Sequence, residues 1–110
     1  MTVAGATQGS NRAGRQAGGD ALVSVIMPVY NAERTMRKSI ESVLQQTMGK
    51  LELILIDDAS RDGSASIIEG FVRHDQRVKA IRQPANAGVA EARNAGIRAA
   101  SGTHIALLDS

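Results

Sequence analysis

The stretch LELILIDDAS, residues 51–60, decides the fold class. Its first six residues are apolar except for Glu52, and two aspartates follow them directly. A short apolar run without an exposed polar face is typical of a strand that lies inside a sheet and is covered on both sides. The stretch therefore predicts a central parallel strand that delivers Asp57 and Asp58 to its carboxyl end.

Three further apolar runs of similar length predict three more strands. They are LVSVIMPV (22–29), VKAI (78–81) and HIALL (104–108). Because strands of this kind are separated by segments with helical spacing, the pattern indicates a parallel sheet covered by helices.

Each of the three intervening segments has one apolar face at helical spacing. The first helix carries Met36, Ile40, Val43 and Leu44, the second carries Ile67, Ile68, Phe71 and Val72, and the third carries Val89, Ala92, Gly96 and Ala100. We predict that Asn31 is the N-cap of the first helix, and that Asp62 or Ser64 caps the second. With right-handed crossovers, four strands and three helices form a Rossmann-like, doubly wound α/β fold.

The first 21 residues differ from the rest in composition. Residues 1–20 contain five of the eleven glycines and no Leu, Ile or Phe, so they lack the apolar surface that offsets the entropy of ordering. We predict a disordered tail over residues 1–21. A secretory signal is excluded because it needs an apolar stretch, whereas Arg12 and Arg15 leave a transit peptide open.

Composition excludes several classes of function. The chain has 110 residues, a formal charge of +2, one Tyr, one Phe and no Cys. The basic and aromatic surface of a nucleic-acid-binding protein is therefore absent, and so are thiolate metal sites and disulfides. No apolar run in the sequence is long enough to span a bilayer, and we expect a cytoplasmic protein.

Polar residues follow each predicted strand, where the carboxyl ends of parallel strands meet at one edge and ligands bind in this fold class. We expect four groups at this edge: Tyr30 and Asn31, Asp57 and Asp58, QPANAG (83–88), and Asp109. Since neighbouring strand residues point to opposite faces, one of the paired aspartates is expected to hold the following turn and the other to face the crevice. That both aspartates bond only to turn amides is the open alternative.

Pro28 lies near the end of a central strand, where a missing N–H is tolerated only if the ladder ends. This places Tyr30 in a turn that faces the crevice, and the alternative is a Tyr packed on the first helix. Gly88, before the third helix, permits a close approach of the backbone to a ligand. Arg93 lies early in that helix, where a positive charge is unfavourable because of the helix dipole unless an acid or a phosphate neutralises it.

Asp109 suits a hard divalent cation, which prefers oxygen ligands. The two histidines do not offer an alternative chemistry, because His74 ends a helix and His104 begins a strand, away from the acidic edge. Zinc sites of the usual kind and Ser/His nucleophiles are therefore excluded.

Five stretches in register resemble the amino-terminal half of a family 2 glycosyltransferase domain of the GT-A fold. They are VSVIMPVYN, SIESVLQQT, LELILIDDASRDGS, NAGVAEARNAGI and SGTHIALLDS, and together they span residues 23–110. The resemblance implies that residues 22–110 are the nucleotide-binding part of an inverting, metal-dependent enzyme. Such an enzyme transfers a sugar from a nucleotide-sugar donor, most commonly a uridine diphosphate sugar, to a glycan, lipid or other hydroxyl acceptor in polysaccharide assembly.

The resemblance also implies roles for individual residues. Pro28 and Tyr30 would flank the base, Asp58 would accept a hydrogen bond from it, and Asp109 would open an Asp-x-Asp motif that binds Mn²⁺ or Mg²⁺. The remaining residues that we expect near the nucleotide are Asn31, Asn86, Gly88 and Arg93. Relative to the family the chain stops inside that motif, so we expect no catalytic residue within it and little activity of the chain alone.

Two further expectations follow from the missing half. The last strand, HIALL, would have a free apolar edge and favour self-association, and membrane association would require the full-length protein. A non-catalytic nucleotide-binding module, or a degenerate truncated gene product, is the alternative function. A response-regulator receiver is disfavoured. In receivers the paired acids follow the first strand and a later strand ends in Lys, whereas here a strand and a helix precede the paired acids and no such Lys is present.

Overall fold

The computed structural model describes residues 4–7, 22–45 and 50–110. The elements in chain order are β1 (Ala4–Thr7), β2 (Leu22–Val29), α1 (Met36–Gln45), β3 (Lys50–Asp57), α2 (Ser64–His74), β4 (Val78–Arg82), α3 (Val89–Ala99) and β5 (His104–Leu107). The four predicted strands and three predicted helices are all present, so the α/β prediction is confirmed.

The described strands form one sheet in the order β1-β5-β2-β3-β4. Strands β5, β2, β3 and β4 are parallel, and β2 and β3 pair along their whole length from Leu22↔Lys50 to Val29↔Asp57. Consequently β5, β2 and β3 each have a neighbour on both sides, and the polar residues that follow the parallel strands meet at one edge.

Helices cover both faces of the sheet, as expected for a doubly wound fold. On one face, Met36 and Ile40 of α1 and Ile68 of α2 pack with Val25 and Leu53 in a single apolar cluster. On the other face, the small residues of α3 pack on the isoleucines of β2 and β3; the cluster contains Ile26, Ile54, Ile56, Ala92 and Ala95. The buried faces of β2 and β3 explain why their sequences lack the polar alternation of a half-exposed strand.

The helix starts differ from the prediction. Asn31 is not the N-cap of α1, because its side-chain oxygen accepts a hydrogen bond from the Arg61 amide and the helix begins five residues later, at Met36. Gly63 precedes α2, and Asp62 accepts a bond from the Ser64 amide through Oδ1, at 2.9 Å. Sequence spacing located the helices and identified Asp62 as a partner of the first residue of α2, but it did not identify the partner of Asn31.

The amino-terminal segment also departs from the prediction at four residues. Ala4–Thr7 forms a strand that pairs antiparallel with β5, with Ala4 opposite Leu107 and Thr7 opposite Ile105. The free edge predicted for β5 is therefore occupied, and the self-association argued from that edge loses its basis. Pairing requires only backbone N–H and C=O groups, so a segment without large apolar side chains can supply it. The remaining residues of the predicted tail lie outside the described residues.

No helix in the described part of the chain combines the length and the apolar character needed to cross a bilayer.

Candidate functional site

The carboxyl edge of the sheet carries a cleft of about 300 Å³. Four separate segments line it: the end of β2, the residue after β3, the first turns of α3, and the chain after β5. The lining residues are Pro28, Val29, Tyr30, Asp58, Val89, Ala92, Asp109 and Ser110. Four of the predicted site residues, namely Pro28, Tyr30, Asp58 and Asp109, are thus brought together.

Pro28 ends the ladder of β2 on the side of β5. The Leu108 amide donates to the Ile26 carbonyl at 3.0 Å, and the pairing of β2 with β5 ends there, at Ile26 and Leu107. The missing N–H of Pro28 therefore leaves no gap in the sheet. The chain turns after Val29, and Tyr30 stands at the cleft with 48% of its surface exposed.

The turn that carries Tyr30 is tied to the loop after β3. The Asn31 amide donates to the Ser60 hydroxyl at 2.9 Å, and the Arg61 amide donates to Asn31 Oδ1 at 2.8 Å. Asn31 and Ala59 both have positive φ, 48° and 63°, which is uncommon for residues with a side chain. Asn31 thus holds the two loops together and is not among the residues that line the cleft.

A second set of bonds extends this connection to the start of α2. The Gly63 amide donates to Glu33 Oε1 at 2.6 Å, and the Glu33 amide donates to Asp62 Oδ2 at 3.2 Å. Hydrogen bonds from Ser64, first through its side chain, and from the Glu33 amide lower the pKa of Asp62. The loops that frame Tyr30 are therefore fixed by several side-chain bonds.

The paired aspartates have different surroundings, as the strand geometry predicts. Asp57 holds the turn after β3. Its Oδ1 accepts the Ser60 amide at 2.9 Å, and its Oδ2 lies 3.6 Å from Arg82 Nη1. Asp57 is not among the residues that line the cleft, whereas Asp58 is.

Asp58 is held by the loop that precedes α3. Its two carboxylate oxygens accept the amides of Ala87 and Gly88, each at 2.9 Å. Each carboxylate oxygen can accept more than one hydrogen bond. Asp58 therefore retains capacity for a ligand in the cleft.

The same loop is in turn organised around Asp58. Asn86 Nδ2 donates to the Asp58 carbonyl at 3.3 Å, and Gly88, whose amide is bonded to the carboxylate, has a φ of 98°. Neither Asn86 nor Gly88 lines the cleft. The loop amides that sequence reasoning placed near a ligand are satisfied by Asp58.

Arg93 does not line the cleft, but its guanidinium contacts Asp109 at the exposed side of the cleft, which we call its mouth. Arg93 Nη2 lies 3.5 Å from Asp109 Oδ1, and the Asp109 side chain is 88% exposed. Arg93 Nε is buried and has no hydrogen-bond partner within the described residues. The guanidinium is thus paired with an acid, as expected for a positive charge near the start of a helix.

The oxygens at the mouth fit only part of a divalent-cation site. Asp109 supplies one exposed carboxylate, and the neighbouring Ser110 lines the same cleft. In the described ranges there is no group of three acidic, histidine or cysteine side chains suited to a metal ion. The chemistry of these oxygens suits Mn²⁺ or Mg²⁺, but their number does not complete a coordination shell.

Two lining residues escaped sequence reasoning. Val89 was assigned to the packing face of the third helix, yet it begins α3, is 53% exposed and lines the cleft with Ala92. An apolar residue directly after a positive-φ glycine was the available signal. The cleft therefore has apolar walls on two sides, a buried carboxylate between them, and one acid paired with one guanidinium at its mouth.

This arrangement suits a particular class of ligand. Apolar and aromatic walls bind the faces of a flat ring, and a carboxylate acceptor favours a ring with N–H donors at its edge. A guanidinium at the mouth favours an anionic substituent such as a phosphate.

Comparison with known proteins gives consistent results. The model of the family described as "Glycosyl transferase family 2" matches residues 24–110. A glucosyltransferase of Escherichia coli, WfgD, named as a UDP-Glc:alpha-D-GlcNAc-diphosphoundecaprenol beta-1,3-glucosyltransferase, is 46% identical over 91 residues, which are 83% of this chain and 35% of WfgD. The glycosyltransferase EpsJ of Bacillus subtilis is 44% identical over 88 residues, which are 80% of this chain and 25% of EpsJ. The chain thus spans only part of the length of both relatives.

Two solved structures share the fold. TarS of Staphylococcus aureus in complex with UDP has a TM-score of 0.73 and 30% identity, over 80% of this chain and 27% of TarS. The mannosyltransferase PcManGT of Pyrobaculum calidifontis, in complex with GDP-Man and Mn²⁺, has a TM-score of 0.76 and 26% identity, over 82% of this chain and 27% of PcManGT. The α/β fold of this chain is therefore shared with a protein solved with UDP and with a mannosyltransferase solved with GDP-Man.

Proposed function

Because the chain belongs to glycosyl transferase family 2 over residues 24–110, we propose that these residues bind the nucleotide-sugar donor of a glycosyltransferase. One observation carries the proposal: the cleft at the carboxyl edge gathers Tyr30, Asp58 and Asp109 from three separate strand ends. The cleft combines an aromatic wall, a buried acceptor and a charged mouth. A nucleoside diphosphate has matching chemistry, since its base offers ring faces and N–H donors and its diphosphate is anionic.

Within the cleft, Pro28 and Tyr30 flank the base, and Asp58 accepts a hydrogen bond from an N–H at its edge. A hydrogen bond to a charged acceptor contributes roughly 1.5 to 3 kcal/mol. Asn31, Asn86 and Gly88 act indirectly in this proposal. Asn31 holds the turn of Tyr30, while Asn86 and the Gly88 amide hold Asp58.

We propose a uridine diphosphate sugar as the donor. The name of WfgD gives UDP-Glc as its donor, and TarS has been solved with UDP. Uracil presents one N–H at its edge, which suits Asp58. Guanine also presents N–H donors and PcManGT holds GDP-Man, so a guanosine donor is the competing ligand for the same cleft.

Asp109 would supply one ligand to Mn²⁺ or Mg²⁺, with further ligands from the diphosphate and from residues beyond those described. A bound divalent cation neutralises the charge of a departing diphosphate. The contribution of this chain is to hold Asp109 at the end of β5, next to the position of the diphosphate. The presence of Mn²⁺ in the PcManGT complex supports this assignment.

The remaining features of the full enzyme belong to the same proposal. It inverts the sugar carbon, and its catalytic base comes from outside this chain. Its acceptor is a sugar or lipid hydroxyl, as in the diphosphoundecaprenol-linked acceptor named for WfgD. A donor made in the cytoplasm and a lipid-linked acceptor place the reaction at the inner face of a membrane.

The second candidate is a nucleotide-binding module without catalysis. One observation supports it: the three residues that we propose for the base all line the cleft, whereas Asp109 is the one carboxylate that we propose for a metal ion within the described residues. The two candidates share nucleotide binding and differ in turnover, so a binding measurement followed by an assay of sugar release separates them.

Titration calorimetry of the 110-residue chain with UDP and GDP tests the proposal. Loss of a base–aromatic stack costs roughly 1 to 3 kcal/mol, so Tyr30→Ala should weaken UDP binding about tenfold or more. Val72→Ala removes an exposed apolar side chain from α2, outside the cleft, and should leave affinity unchanged. Equal affinity in Tyr30→Ala and the parent chain would contradict the proposed site.

A further inference from the structure

The Arg93–Asp109 pair occupies the charged mouth of the cleft with a loose contact. The shortest distance between the two groups is 3.5 Å, and Asp109 is 88% exposed. Exposed pairs of this kind contribute little stability, because water solvates both charges almost as well as they solvate each other. Either residue can therefore leave the pair at little cost when a stronger partner of opposite charge binds.

Arg93 retains unused hydrogen-bonding capacity in this arrangement. Its Nε is buried and has no acceptor within the described residues, while Nη2 makes only the long contact to Asp109. A guanidinium forms its best bonds in pairs, with two parallel N–H groups on one carboxylate or phosphate. Asp109 does not provide that geometry here, so a phosphate group can satisfy Arg93 better.

The proposed position of the base determines where the phosphates of a ligand would lie. A volume of about 300 Å³ is at the lower end of the range for small-molecule sites. A base and ribose between Tyr30 and Val89 would fill it, and an attached diphosphate would lie at the mouth. There it would be attracted by Arg93 and repelled by Asp109.

We propose that Asp109 competes with the diphosphate for Arg93 when no divalent cation is present. In the free chain Asp109 neutralises the guanidinium, and on binding the diphosphate takes its place. Asp109 is then released with an unpaired charge that is available to a cation. This inference rests on the proposed function, since it assigns a regulatory role to two residues of the same cleft.

The proposal makes an unusual prediction for Asp109. If Asp109 only repelled the diphosphate, its removal would tighten UDP binding in EDTA by the same factor with and without Arg93. If it competes for Arg93, Asp109→Asn should tighten UDP binding in EDTA about threefold, because the amide neither repels the diphosphate nor neutralises Arg93. Glu69→Gln removes the same charge from an exposed position on α2 and serves as the matched control.

Arg93→Gln should weaken UDP binding in EDTA about tenfold, since it removes the guanidinium that the diphosphate takes over. Arg98→Gln changes the net charge equally, at an exposed position in the last turn of the same helix, and should have little effect. In the double variant Arg93→Gln/Asp109→Asn, the gain from Asp109→Asn measured on the Arg93→Gln background should be smaller than on the parent chain.

Uridine separates this inference from the proposed function. Uridine has no phosphate, so its affinity should be the same in the parent chain, Arg93→Gln and Asp109→Asn. Absence of both uridine and UDP binding in the folded parent chain would overturn the proposed function and this inference with it. Normal UDP binding with unchanged or weaker affinity in Asp109→Asn would overturn the competition between Asp109 and the diphosphate alone.

Discussion

A buried carboxylate lies at each end of β3, but the two carboxylates differ in their hydrogen-bond partners. At the amino end, Glu52 accepts hydrogen bonds from the Ser24 hydroxyl, from Lys79 Nζ at 2.8 Å and from the Ser101 amide at 2.7 Å. At the carboxyl end, Asp58 accepts two loop amides, yet it still faces a cleft. A surface depression of about 660 Å³ also borders Glu52, so access does not distinguish the two ends. They differ in how far protein donors occupy the acid, and in this sense we call the first end closed and the second open.

The pKa of Glu52 reflects this closure. Burial raises it, and hydrogen bonds from Lys79, Ser101 and Ser24 lower it by more, so the pKa falls from 4.5 to about 2. The carboxylate connects β2, β3, β4 and the loop before β5, which fixes the start of the strand that ends near Asp109. A buried acid whose oxygens are occupied by protein donors therefore stabilises the fold, whereas one that keeps acceptor capacity toward a cleft is available to a ligand.

The largest expected effect is at the closed end. Glu52→Gln replaces one carboxylate oxygen, which accepts hydrogen bonds, by an NH₂ group, which donates them. Because the surrounding groups are also donors, the free energy of unfolding should fall by about 2 to 3 kcal/mol. Urea denaturation at neutral pH measures it. Lys79→Met removes a partner that is 57% exposed and should cost less than about 1 kcal/mol. A smaller loss for Glu52→Gln than for Lys79→Met would contradict a closed network centred on Glu52.

The same variant has a pH signature. Since the folded pKa of Glu52 is lowered, its stabilisation is complete above 4.5 and is lost as the pH falls toward about 2. Glu52→Gln should therefore show a smaller loss of stability between pH 5 and pH 2 than the parent chain. Identical acid sensitivity in both would mean that Glu52 keeps its ordinary pKa.

The next effect contrasts one glycine from each end. A Cβ at Gly102 would lie 2.5 Å from the Leu22 carbonyl oxygen and 2.6 Å from Ser24 Oγ, whereas a Cβ at Gly88 would meet no atom within 4 Å. Gly102→Ala should therefore cost about 2 kcal/mol through overpacking. Gly88→Ala should cost about 1 kcal/mol through its positive φ.

Binding distinguishes these two variants further. Gly88→Ala should also weaken UDP binding, because the Gly88 amide holds Asp58. Gly102→Ala should leave UDP affinity unchanged under conditions where it is folded. Loss of UDP affinity in folded Gly102→Ala would show that the closed end takes part in binding.

The smallest expected effect is a gain at the open end. Ala59 has a φ of 63° in the loop between Asp58 and Ser60, and glycine adopts this conformation without steric cost. Ala59→Gly should stabilise the chain by about 0.5 kcal/mol, since relief of strain exceeds the added entropy of the unfolded chain. Thermal unfolding measures it, and destabilisation would show that the φ value carries no strain.

Sequence predicted the parts of the molecule that depend on local patterns. Strands β2 to β5 are apolar runs with clear ends, and strand direction placed Tyr30, Asp58 and Asp109 at one edge. The choice of Asp58 over Asp57, and the place of Pro28 beside a base, came from the resemblance to the family. The split between Asp57 and Asp58 followed from the alternation of strand side chains.

The errors concern partners that are distant in sequence. Asn31 has the right chemistry for an N-cap, but the Arg61 amide, 30 residues away, is its partner. Strand β1 pairs through backbone groups, so its composition carried no signal. Val89 fits a packing face by spacing alone, and only the fold shows that it opens α3 at the cleft.

Chemical-shift mapping of the ¹⁵N-labelled chain during titration with UDP tests the central claim most directly, because it observes both ends of β3 at once. We expect shifts for the amides of Tyr30, Asp58, Val89 and Asp109, and none for the amides of Glu52, Lys79 and Ser101. Shifts confined to the Glu52 end of the strand, or no shifts at saturating UDP, would contradict the assignment of the open end as the donor site.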